Sequence, residues 1–115
     1  MPAARHVGDD QDLLRDLAGM FAVEAPKMLA EVRAAVAAND AARLQRAAHT
    51  LKGAVGIFGA RATFEAGLRL ELMGRAGDLT GAAEATEALE QALGRLRQAL
   101  AEYARAEPDG QAANS

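Results

Sequence analysis

The sequence predicts an all-α protein: an antiparallel up-and-down four-helix bundle with an additional short N-terminal helix. Three observations carry this expectation. The hydrophobic half of the chain is mostly alanine and leucine, with three phenylalanines, one tyrosine and no tryptophan. Those two residues favour helix, whereas strands draw on β-branched and aromatic side chains. Apolar residues also recur at alternating steps of three and four, the spacing of one helix face. Finally, the links between these periodic stretches are short, which places successive helices antiparallel. A chain of 115 residues suits a single core.

Residues 1–8, with Pro2 and Gly8, read as a flexible leader. A first helix follows Asp9 and Asp10, presents Leu13, Leu17, Met20 and Phe21, and should stop near Glu24. Pro26 sets that stop by disfavouring the helical region at Ala25. Pro26 also suits the first position of a second helix, where its missing N–H is harmless. This second helix buries Leu29, Val32 and Val36 and ends at Asn39-Asp40. Asp40 can cap a third helix with the stripe Leu44, Ala48, Leu51, Val55 and Phe58, frayed by Gly56 and Gly59. A fourth runs from about Ala60 to Arg75 with Phe64, Leu68 and Leu72 on one side, and Gly74, Gly77 and Asp78 form the turn. The last helix, from Leu79 or Thr80 to Ala104, carries Ala82, Thr86, Leu89, Leu93, Leu96, Leu100 and Tyr103. The domain is expected over residues 9–106, and residues 107–115 read as a disordered tail.

Composition excludes several functions. The net charge is −3 with no basic face, so no nucleic-acid partner is expected. The absence of cysteine removes disulfides and thiolate metal sites. Only His6 and His49 are available as imidazole ligands, in no metal-binding spacing, so neither metal nor cofactor is expected. The sole serine, Ser115, rules out serine-based hydrolysis. No apolar window is long enough to cross a membrane, and the first ten residues lack the core of a secretory signal. A cytoplasmic monomer is the expectation.

Chemistry concentrates on the third helix. His49 lies one position, about 100°, past the core residue Ala48, and so faces water or a shallow groove. Lys52 and Gly53 follow at i+3 and i+4, over the same surface. A lone surface histidine is usually just solvated, a lone lysine a solubility residue, and a lone glycine a point of helix contact. Together they break local rules: glycine inside a helix costs roughly 1 kcal/mol relative to alanine. The cluster makes sense if a second protein must approach His49 and if negative charge arrives there. Glycine clears the approach, lysine offers a mobile ammonium, and imidazole is a nucleophile near neutrality. Its second ring nitrogen then needs a carboxylate or amide on a neighbouring helix to fix the tautomer.

The string Ala48-His49-Thr50-Leu51-Lys52-Gly53-Ala54-Val55-Gly56-Ile57-Phe58-Gly59-Ala60 closely resembles the signature of histidine-containing phosphotransfer (HPt) domains, H-x-L-K-G-x-x-x-x-x-G-A. The resemblance extends over about residues 10–105, with Phe21, Glu24, Pro26 and Asp40 matching further family features. It implies a four-helix bundle plus a short N-terminal helix. It also implies a relay in which His49 takes a phosphoryl group from a receiver-domain aspartate, or from a kinase, and passes it to another receiver. Partners would be receiver domains of response regulators or hybrid histidine kinases. No kinase activity or nucleotide site would belong to this chain. The family's hydrogen-bonding Glu or Gln on the next helix falls by offset on Glu71. Lys52 would stabilise phosphoryl charge and Gly53 would give the partner clearance. Arg69 and Arg75 are further sources of positive charge, Arg46 a docking residue, and Leu14 and Ile57 apolar recognition residues.

Two alternatives stand beside the relay. A glutamate rather than glutamine at position 71 is reminiscent of the phosphoacceptor domain of chemotaxis-type histidine kinases, served by a separate ATP-binding domain. The dimerisation segment of an ordinary sensor kinase fits less well, because Thr50 and Ala54 stand where an acidic residue and a proline would be. A purely structural interaction module is the remaining possibility.

Overall fold

The computed structural model describes the backbone of residues 2–105 and the side chains of residues 12–103. Four helices and no strand occur among them: α1 (Pro2–Ala37), α2 (Ala41–Gly56), α3 (Arg61–Ala76) and α4 (Ala82–Arg105). Each helix packs on the two beside it, α1 on α2 and α4, and α3 on α2 and α4, without diagonal pairs. Such an arrangement is an up-and-down bundle.

One element departs from expectation. The separate N-terminal helix ending near Glu24 does not exist: α1 runs unbroken through Pro26, and the leader expected over residues 1–8 falls, from Pro2, within its bounds. Met1 and the expected tail lie outside the described residues. An internal proline removes one hydrogen bond and crowds the carbonyl four residues earlier, a cost of about 3 kcal/mol. Two features offset it. Pro26 is exposed, so its ring faces solvent. The buried positions Ala18, Phe21, Ala25, Val32 and Ala35 keep one heptad phase across it. Ending the helix at Ala25, which is fully buried, would break that phase. The same phase leaves Leu13 and Met20 exposed, contrary to expectation, while Phe21 is buried.

α2 begins as expected. Asp40 accepts a hydrogen bond from the Arg43 backbone N–H at 3.1 Å, a side-chain cap worth about 1 kcal/mol. Leu44, Ala47, Ala48, Leu51 and Val55 are buried. Arg43 also grips Glu31 of α1 with two contacts, Nε to Oε2 at 2.6 Å and Nη2 to Oε1 at 3.0 Å. Beyond Gly56, the turn brings Phe58 to 5.3 Å from the ring of Phe21, tying the far end of α2 to α1. Gly59, at φ +63°, makes the reversal into α3 in a region glycine adopts freely.

The α3 stripe expected at Phe64, Leu68 and Leu72 is out of phase by one residue. The buried set is Thr63, Gly67, Leu70, Glu71 and Gly74, and Leu72 is exposed. Phe64, Leu68 and Leu72 mark the flank of this helix, whereas its packed face sets the large Leu70 among Thr63, Gly67, Glu71 and Gly74. α4 follows expectation through Ala82, Thr86, Leu89 and Leu93, which are buried.

Candidate functional site

Helix α2 carries His49 on its outer side because the core stripe occupies Ala48 and Leu51. The imidazole is 68% exposed, and its Nδ1 lies 2.9 Å from Oε2 of Glu71 on α3. Glu71 itself is only 3% exposed, an acid carried on the packed face of its helix. Burial of a carboxylate demands cationic or hydrogen-bonding partners. Three surround it. Lys52 places Nζ 2.8 Å from Oε1, and Arg75 places Nη2 3.3 Å from Oε2, beside the imidazole. The Lys52 approach is off the hydrogen-bonding angle, leaving Oε1 without a directed hydrogen bond. The contact is therefore an ion pair. Lys52 is held from its other side by Phe64, whose ring centre is 5.5 Å from Nζ.

The Lys52 ammonium holds the Glu71 carboxyl below its usual range, with help from His49 and against the opposing effect of burial. Glu71 is therefore a carboxylate near neutrality and can only accept a hydrogen bond at Nδ1, which in a neutral ring leaves the lone pair on Nε2. Because the carboxyl is depressed, the stability it adds is complete above its ordinary value and is lost as pH falls through the lowered one. In thermal melts from neutrality down through the carboxylate range, the gap between the protein and Glu71→Gln should close on acidification. A gap independent of pH would show that the charge on Glu71 contributes nothing to the fold.

The structure thus brings His49, Lys52 and Glu71 together. Gly53 lies one turn past His49 on the same exposed side, and a Cβ built there meets no atom within 4 Å. His49, Glu71, Gln45, Arg46, Thr50 and Arg75 line an open groove of about 510 Å³. Of the secondary candidates, Arg46 and Arg75 belong to this groove, while Arg69 is exposed without lining it. Leu14 is half-buried, and Ile57 is 56% exposed beside an apolar groove formed with Met20 and Phe21. The close partnership of Arg75 with Glu71 was weakly legible in the sequence: the two are four residues apart on one helix. Among the described residues no group of acidic, histidine or cysteine side chains could hold a metal ion, and no helix is long and apolar enough to cross a membrane.

Fold and site together define a helical module built around one surface imidazole backed by a buried carboxylate. A family model, the Hpt domain, matches residues 16–99, most of the chain, and the protein belongs to that family. Hpt domains are phosphocarriers in two-component phosphorelays, so histidine phosphotransfer is its general function and receiver domains are its general class of partner. Neither a search of curated proteins nor one of solved structures returned a match.

Proposed function

We propose that His49 is the phosphoacceptor, taking a phosphoryl group from the aspartyl phosphate of one receiver and passing it to the aspartate of another. One observation carries this: an imidazole 68% exposed has its Nδ1 held by a carboxylate 3% exposed. In the forward step the Nε2 lone pair attacks phosphorus, the N–P bond forms as the P–O bond breaks, and the receiver's carboxylate leaves. The ring gains positive charge, which Glu71 stabilises through the Nδ1–H bond. The reverse step returns the phosphoryl group to a carboxylate. Lys52 and Arg75, both paired with Glu71, are the cations that would turn to the incoming phosphoryl oxygens. The chain supplies no kinase step of its own.

Mixing the purified protein with a phosphorylated receiver should move the label to an acid-labile, base-stable species on His49. Incubation with ATP alone should leave the chain unlabelled. If several receivers all fail to transfer, the relay is wrong. The acid at position 71 also favours a second donor, the ATP-bound domain of a chemotaxis-type kinase. Labelling by that domain plus ATP, but by no receiver, would select it.

Gly53 tests the docking geometry separately. Gly53→Gln adds a side chain where nothing lies within 4 Å, so the fold should gain up to about 1 kcal/mol from helix propensity. Receiver affinity should nevertheless fall by about tenfold, roughly 1.4 kcal/mol. Unchanged binding in titration calorimetry would remove Gly53 from the interface.

A further inference from the structure

The face of α3 that meets α2 has glycine on both sides of Glu71, at Gly67 and Gly74, and all three are buried. The helices run antiparallel here, with Gly67 opposite Lys52, Glu71 opposite His49, and Gly74 opposite Gln45 and Ala41. These glycines differ in what a side chain would meet. A Cβ at Gly67 would lie 3.5 Å from the Lys52 Cβ and 3.7 Å from its Cα, an ordinary contact. At Gly74 it would fall 2.6 Å from the Gln45 backbone nitrogen, 2.7 Å from the Ala41 carbonyl oxygen and 2.9 Å from the Gln45 Cα. Those are backbone atoms, so no rotamer change relieves the clash. At this point α2 and α3 are closer than any residue with a Cβ allows.

The position is one turn from Glu71, whose carboxylate must reach Nδ1 across the helix interface. The Glu71 side chain, rooted in the packed face, makes its 2.9 Å bond across this narrow gap between the two backbones. A glycine inside a helix is a local sacrifice of stability, and such breaches concentrate where geometry matters to function.

We propose that Gly74 is a positioning residue for phosphoryl transfer: by letting α2 and α3 approach, it sets the Glu71–His49 hydrogen bond that presents Nε2. The functional half of this statement rests on His49 being the phosphoacceptor; the geometric half does not. Both halves can be read separately. Ring-nitrogen NMR of the unphosphorylated protein reports the His49 tautomer. Phosphoramidate, a small donor that transfers its phosphoryl group and leaves as ammonia, reports acceptance without any partner protein.

The unaltered protein and Gly67→Ala should share a single Nδ1–H tautomer and one labelling rate. Gly74→Ala should retain helical content, show a mixed tautomer and label about tenfold more slowly, the scale expected of a small misplacement. In a Glu71→Ala background, adding Gly74→Ala should change the rate no further, because the glycine acts through the carboxylate. A folded Gly74→Ala with unchanged tautomer and rate would overturn the proposal, as would a slowing that persists without Glu71. Should Gly74→Ala lose its helical signal, Gly67→Leu wedges the same helix pair from the other flank of Glu71, against the Cα and Cβ of Lys52 and the Leu51 side chain. It should give the same tautomer shift, and its failure to do so would equally overturn the proposal. A tautomer shift in Gly74→Ala with no label on His49 in the unaltered protein would support the geometry and overturn the phosphoacceptor assignment instead.

Discussion

His49→Gln is expected to abolish phosphoryl acceptance completely while leaving the bundle folded. The chemical half follows from the loss of the groove's imidazole: an amide nitrogen has no available lone pair to attack phosphorus. The structural half follows from exposure. At 68% exposed, the imidazole contributes little to the core formed by Leu44, Leu51, Val55, Leu70 and Leu89. Glutamine is a good helix former, and its amide N–H can still donate to Glu71. The stability change should therefore stay within about 0.5 kcal/mol, as for other surface substitutions. Circular dichroism melts and label transfer from a phosphorylated receiver check the two halves together. A collapse of helicity would mark His49 as structural, and residual acid-labile label would place the acceptor elsewhere.

Glu71→Ala should have the next largest effect, on both stability and rate. One carboxylate there faces His49, Lys52 and Arg75. Arg75 is 60% exposed and can turn to water at little cost. Lys52 is only 19% exposed and loses its counter-ion in a partly desolvated place. Leaving such a charged donor unpaired costs about 1–3 kcal/mol, and the flexible lysine stem, able to swing outward, keeps the expected loss toward the lower end. Without the Nδ1 acceptor the imidazole loses both a fixed tautomer and the anion facing its developing charge. Acceptance should slow by about ten- to a hundredfold, the scale seen when the carboxylate partner of a ligating histidine is removed. Glu71→Gln, which keeps an acceptor oxygen but drops the charge, should fall between. An unchanged labelling rate in Glu71→Ala would falsify a role for this residue in the site.

Much of this was legible in the sequence, and the misses share a cause. The α2 stripe from Leu44 to Val55 was readable because large apolar residues there do face the core. In α3 the expected ones do not: Leu72 is exposed, and apart from Leu70 the packed face is carried by Thr63, Gly67, Glu71 and Gly74. Hydrophobic periodicity weighs side chains, so a face made by their absence is invisible to it. Pro26 misled in a related way. A local rule against helix continuation is sound residue by residue, yet a heptad of buried positions on both sides outweighed it. In both cases packing energy, summed over a whole helix, exceeded the local preference.

The sequence by itself determined the helical class, the cap at Asp40, the exposure of His49 one residue off the core stripe, and the company of Lys52 and Gly53. These are properties of spacing along one helix, and spacing is written in the chain. Only the tertiary structure decided that α1 is a single helix, that Glu71 is sealed beneath the imidazole, and that Lys52 and Arg75 converge on it. It alone decided that Gly74 must have no side chain. Each of those depends on packing between helices, which sums contacts from segments that spacing along a single helix does not describe.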